Sequence, residues 1–128
     1  LLPRFGLNPI LVTPKEFRVV SQYKTVKNIN KVLDSLDIIM SLRVQHERHN
    51  FSRTEEELEK SKKRYAVKYC ITKKLIKDRD LLILHPGPVN RNVDISDEML
   101  KDPRCKVLQQ VTHGVAIRAA VLKKLILK

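Results

Sequence analysis

Arg43, Gln45, Glu47 and Arg48 fall in one six-residue stretch, "RVQHER" at 43–48, directly after the apolar run "DIIMSL" at 37–42. The Arg43 guanidinium is a planar fork that binds a carboxylate through two parallel hydrogen bonds. Gln45 both donates and accepts through its amide. Strand alternation puts Arg43 and Gln45 on one side of the chain and Val44 on the other. Such a pair suits a small ligand carrying carboxylates and an amine. An exposed strand end with ordinary surface ion pairs uses the same residues, and by residue type alone that plainer reading is favoured.

The second stretch is "HPGPVNR" at 85–91, after the apolar run "LLIL" at 81–84. Proline fixes φ and removes an N–H donor. Carbonyls in such a segment face outward with no neighbouring donor, and an amide-bearing ligand can donate to them. An X-Pro bond there can also be cis, which marks a tight, specified turn. His85, Pro86, Gly87 and Pro88 therefore read as a rigid acceptor edge. Pattern alone favours a plain turn leaving a strand at least as strongly.

The elements that must position these residues alternate between strand and helix. Residues 9–12 ("PILV"), 37–42, 80–85 ("DLLILH") and 106–111 ("KVLQQV") read as strands. Residues 25–36 place Val26, Ile29, Val32, Leu33 and Leu36 at helical spacing. A polar helix is expected over 54–65, with Thr54 as N-cap and Glu57 as its capping-box partner. Shorter helices are expected over 71–79 and over 94–101, the latter capped by Ser96, and a terminal helix over 113–128. Apolar strands alternating with helices imply an α/β fold, a parallel sheet with helices on both faces. Ligands bind such sheets beyond the carboxyl ends of the strands. That rule selects 43–48 and 85–91.

Composition narrows the function classes. The 128 residues suffice for one domain, with 42% apolar and 31% charged residues. No apolar run approaches the ~20 residues of a membrane span, and no signal-peptide pattern opens the chain. Leu1 stands where an initiator Met would, as in a chain that starts inside a longer protein. Cys70 and Cys105 show no C-x-x-C spacing and read as thiols of a reducing cytoplasm. The four histidines form no zinc-like pattern. A net charge of +12 invites a nucleic-acid reading. Yet "EEELE" at 55–59 abuts "KSKKRYAVK" at 60–68, as on a solvated helix, and few aromatics are available for base stacking. With three glycines, no phosphate loop, no nucleophile elbow and no paired acid, a complete active site is not expected in this chain.

Taken together, "SLRVQHERH" at 41–49, "YCIT" at 69–72, "LHPGPVNRNVDI" at 84–95 and "QQVTHGVAIRAAVL" at 109–122 closely resemble the aspartate carbamoyltransferase family, in its second, aspartate-binding half. The resemblance runs from Leu1 to Lys128. The related ornithine enzyme differs, with His-Cys-Leu-Pro where this chain has His85-Pro86-Gly87-Pro88. The resemblance implies a doubly wound, Rossmann-like sheet that here lacks its first strand. It implies transfer of a carbamoyl group from carbamoyl phosphate to L-aspartate, giving N-carbamoyl-L-aspartate and phosphate in pyrimidine synthesis, with no metal or organic cofactor.

By that resemblance Arg43 and Gln45 take aspartate's carboxylates. The carbonyls of Pro86 and Gly87 take the carbamoyl amide, with a cis bond before Pro88. Glu47, Arg48 and His85 support them, and 50–69 is a mobile loop closing over aspartate. No residue of this chain is assigned a catalytic role. The family's carbamoyl-phosphate half, with its Ser-Thr-Arg-Thr and His-Pro-Thr-Gln segments, does not occur here. The helix over 113–128 is expected to pack on that half. His113 and Ala119, on this helix, stand where Asn and Met are expected. The complete enzyme is implied to be a cytoplasmic homotrimer, with regulatory or dihydroorotase chains as candidate partners and neither nucleic acid nor membrane. Two other readings stay beside this one: a non-catalytic remnant acting as an interaction module, and a basic nucleic-acid-binding module.

Overall fold

The computed structural model describes residues 2–14, 21–43 and 54–127. The chain forms two compact units, Leu1–Leu36 and Asp37–Lys128. In the first, strands β1 (Ile10–Val12) and β2 (Lys24–Val26) pair in parallel, with Leu11 opposite Thr25. In the second, β3 (Ile38–Met40) and β4 (Leu82–Leu84) pair in parallel, with Ile39 opposite Ile83. Between them run helices α1 (Glu55–Tyr69) and α2 (Lys73–Ile76); α3 (Asp97–Leu100) and α4 (Val107–Ile126) follow β4. Parallel neighbours need a long crossover, and the α1–α2 segment supplies one. The architecture is α/β.

Residues 25–36 do not form the expected α-helix. β2 runs through Val26, and two 3-10 turns follow, Ile29–Lys31 and Leu33–Ser35. The buried residues Ile29, Val32 and Leu33 have the i, i+3, i+4 spacing that reads as helix. Polar side chains redirect the backbone between them. Asn28 Oδ1 accepts the Asn30 N–H at 2.9 Å, and the Ser35 hydroxyl donates to the Val32 carbonyl at 2.8 Å. Such local bonds offer the backbone an alternative to helix.

The strand expected at 106–111 is also corrected. Strand pairing there is a single parallel bridge between Cys105 and Ile83, closed by Ile83 N–H to the Arg104 carbonyl and Lys106 N–H to the Ile83 carbonyl. Helix α4 begins at once, at Val107. A short apolar run fits strand and buried helix equally well, and the buried Val107 is the only residue of α4 that reaches the core.

Helix α1 forms as its sequence dictates. Thr54 and Glu57 make a reciprocal capping box, with the Thr54 N–H on Glu57 Oε2 at 3.1 Å and the Glu57 N–H on Thr54 Oγ1 at 3.4 Å. The acidic and basic blocks pair along the exposed face, Lys60 with Glu56 and Lys62 with Glu59. Ser96 caps α3 as expected. The core of the second unit is Ile39, Ile71, Ile76, Leu81, Ile83, Ile95, Met99 and Val107. Full burial of each such side chain contributes about 1.5–3 kcal/mol. One face of β3, with Ile38 and Met40, is exposed, as are Leu108, Ile117, Leu125 and Ile126 along α4.

Candidate functional site

The parallel pairing of β3 and β4 brings both sequence-selected stretches to one end of a sheet. Met40 lies opposite Leu84, and the ladder continues one step, with the Ser41 N–H on the Leu84 carbonyl at 3.0 Å. Arg43, exposed, leaves β3 two residues further on, and His85 leaves β4 immediately. Both stand at the carboxyl ends of adjacent parallel strands, where ligands of α/β sheets bind. Gln45, Glu47 and Arg48 lie outside the described residues, as do 50–53 of the expected closing loop. Residues 55–69 of that loop are helix α1.

The 85–91 segment is more than a turn. The Gly87–Pro88 bond is cis, and Gly87 has a φ of +75°, a left-handed conformation that suits glycine. Among the described residues, no hydrogen bond ends on the carbonyl of Pro86 or Gly87. Pro86 is exposed and Gly87 half-buried. The two carbonyls are acceptors without a partner among the described residues, on a stiffened edge.

Behind this edge lies a buried polar cluster. His85 is fully buried, and so is Asp94. His85 Nδ1 accepts the Gly87 N–H at 2.9 Å, so the ring proton sits on Nε2, which lies 3.2 Å from Asp94 Oδ2. Asp94 Oδ2 also accepts the Asn90 N–H at 2.9 Å, and the Asp94 carbonyl accepts the Ile71 N–H at 3.0 Å. Asp94 Oδ1 is buried and has no partner among the described residues. From α4, Gln110 Oε1 accepts the His85 backbone N–H at 2.9 Å.

The carboxyl end of α1 abuts this cluster. The Tyr65 and Tyr69 rings stack, with centroids 4.9 Å apart. Burial, and then the Asp94 carboxylate, push the Tyr65 hydroxyl up to about 12 and the Cys70 thiol up to about 11. Both shifts favour the neutral form. Further along, Arg91 Nε donates to Asp97 Oδ1 at 2.6 Å and Asn92 Nδ2 to Asp97 Oδ2 at 3.0 Å, which ties the segment to the start of α3.

Sequence reasoning missed Asp94 and Gln110. Asp94 reads there as the first residue of a short helix, and Gln110 as part of a strand. A lone acid and a polar amide inside an apolar run were the only signals they gave. An open groove of about 400 Å³ runs between β4 and the start of α4, lined by Leu82, Leu84, Lys106, Gln109, Gln110 and His113. Arg43, Pro86 and Gly87 are not among its lining residues, whereas Gln110 is shared with the cluster behind the edge. No group of three or more acidic, His or Cys side chains able to hold a metal occurs among the described residues. No helix among them is long and apolar enough to cross a membrane.

Comparison with known proteins gives concordant results. Residues 2–125 match the family described as aspartate/ornithine carbamoyltransferase, Asp/Orn binding domain. The aspartate carbamoyltransferase catalytic subunit of Aliarcobacter butzleri is 56% identical over 128 residues, 99% of this chain and 42% of that protein. The corresponding subunit of Campylobacter lari is also 56% identical, over 100% of this chain and 42% of its own length. Among solved structures, the catalytic subunit of M. jannaschii aspartate transcarbamoylase superposes with a TM-score of 0.72 at 26% identity, covering 91% of this chain and 40% of that one. The chain thus spans about two-fifths of the length of the relatives it matches.

Proposed function

This chain belongs to the aspartate/ornithine carbamoyltransferase family, in its Asp/Orn binding domain, and from that premise we propose that it is the aspartate-binding part of an aspartate carbamoyltransferase. The reaction is attack of the L-aspartate amine on the carbamoyl carbon of carbamoyl phosphate. A tetrahedral intermediate collapses to N-carbamoyl-L-aspartate and phosphate, an early step of pyrimidine synthesis. The protein's part is positioning and electrostatic stabilisation. Aspartate is favoured over ornithine because the relatives above 50% identity carry the aspartate name.

The observation that carries this reading is the pair of carbonyls, Pro86 and Gly87, without a partner among the described residues and at the same sheet end as Arg43. A carbamoyl –NH₂ donates and does not accept at that point, which matches an edge offering acceptors only. Arg43 and Gln45 take aspartate's carboxylates; Glu47, Arg48 and His85 hold these groups, and Pro88 stiffens the acceptor edge. The apolar residues exposed along α4 form the face that packs on the carbamoyl-phosphate half. In this reading the complete enzyme is a cytoplasmic homotrimer, with regulatory or dihydroorotase chains as further partners. Nothing favours the nucleic-acid alternative, since Lys60 and Lys62 of the densest basic stretch are paired with carboxylates of their own helix.

The test is carbamoyl transfer by the complete polypeptide, with aspartate and ornithine offered in parallel. Transfer to aspartate alone is expected. Arg43→Ala, which removes charge-assisted bonds worth about 1.5–3 kcal/mol, is expected to raise the aspartate KM about 10- to 100-fold. A folded protein that transfers to neither amine would favour an interaction module instead.

A further inference from the structure

We propose that His85 and Asp94 are positioning residues: a buried relay that holds the Pro86–Gly87 peptide in one orientation and so aims its carbonyl edge at the substrate amide. The inference deepens the proposed function and rests on it.

Pro86 and Pro88 have no N–H, so Gly87 supplies the single amide hydrogen of the three-residue edge. That hydrogen points inward, onto His85 Nδ1 at 2.9 Å. The peptide unit is planar, and in a trans unit N–H and C=O point in opposite directions. With the Gly87 N–H tied to the buried ring, the Pro86 carbonyl faces the other way. The edge therefore hides its one donor and turns the Pro86 carbonyl away from the buried ring.

The ring must keep its lone pair on Nδ1 for this to hold. Asp94 secures that tautomer, because Oδ2 accepts a hydrogen bond from the Nε2–H at 3.2 Å. Asp94 is itself held at its side chain and at its backbone. The Asn90 N–H binds the same Oδ2, and the Ile71 N–H binds the Asp94 carbonyl. Gln110 holds the His85 backbone from α4. Asp94 touches no substrate in this scheme and acts only through His85.

Two substitutions separate the relay from mere filling of space. In His85→Asn the side-chain carbonyl stands near the position of Nδ1 and can still accept the Gly87 N–H. In His85→Gln the amide extends toward the position of Nε2, reaches Asp94 and gives up Gly87. In the complete, carbamoyl-transferring protein, His85→Gln is expected to lower kcat/KM for carbamoyl phosphate about 10- to 100-fold and to leave the aspartate KM within about threefold. His85→Asn, which keeps the acceptor for Gly87, is expected to lose several-fold less than His85→Gln. Equal losses in the two variants, or a loss falling on the aspartate KM, would overturn the relay. A wild-type protein that transfers nothing would instead sink the functional reading. The relay is then judged on the wild-type protein alone, by nitrogen NMR of the His85 ring and exchange of the Gly87 amide. A proton on Nε2 and a protected amide support it; a proton on Nδ1 or a freely exchanging amide overturns it. The same two measurements decide the matter if either variant fails to fold.

Discussion

Gln110 Oε1 accepts the backbone N–H of His85 at 2.9 Å, across 25 residues of sequence. This bond joins helix α4 to the residue that leaves β4, and it satisfies a donor at the point where strand pairing ends. Gln110→Ala leaves that N–H without its partner. A loss of about 1–2 kcal/mol is expected, read as a lower urea midpoint of the complete protein. Gln110→Glu keeps an acceptor oxygen at the same reach and is expected to recover much of that loss.

Asp102 and Arg104 form the second anchor of this unit. Arg104 Nε and Nη2 meet the two Asp102 oxygens at 2.8 Å each, while Nη1 donates to the carbonyls of Lys77 and Arg79 at 2.7 Å. The Arg104 side-chain and backbone hydrogen bonds hold the Asp102 carboxyl well below the usual carboxylate range. A depressed folded-state pKa contributes stability that is fully present above the unfolded value, near pH 4, and is lost as pH falls toward the folded one. Stability measured from pH 6 down to pH 2 is expected to drop less steeply in Asp102→Asn than in the wild type. Equal slopes would show that the pair does not contribute.

The capping box of α1 gives a local prediction. Thr54→Ala removes the acceptor for the Glu57 N–H, at an expected cost of about 1 kcal/mol. Faster hydrogen exchange in the first turn of α1 should appear before any global change. Exchange at the α4 amides serves as the internal control and should not move.

Cys70 should be a slow thiol. Burial and the nearby Asp94 carboxylate push it up to about 11, and the thiolate is the reactive species. At pH 8 its alkylation by iodoacetamide is expected to run roughly 100-fold slower than that of a free thiol with an ordinary pKa. The rate should keep rising with pH through 10. A plateau near pH 9 would contradict the assigned environment.

Much of the site could be read from residue types. Arg43 and the Pro86–Gly87–Pro88 edge were selected by chemistry and by the rule that ligands gather at the carboxyl ends of parallel strands. The register of β3 on β4 then brings the two exits to one sheet end. Helix α1 was legible because its caps and ion pairs are local. The stretches 25–36 and 106–111 were not. In each, the apolar spacing fits more than one backbone, and the outcome turned on Asn28 and Ser35 bonding their own turns and on Cys105 pairing with Ile83 for a single step.

By itself the sequence determined what depends on neighbours along the chain: the capped helices, the strand cores, the stiff prolyl segment with one amide hydrogen, and the fork-bearing Arg43. Tertiary structure alone decided which groups meet across distance. It buried His85 against Asp94 and brought Gln110 back to the end of β4. The physical reason is that a hydrogen bond between residues 9 or 25 apart leaves no periodic trace in composition. It exists only once packing removes water from both partners and makes an unpaired polar group costly.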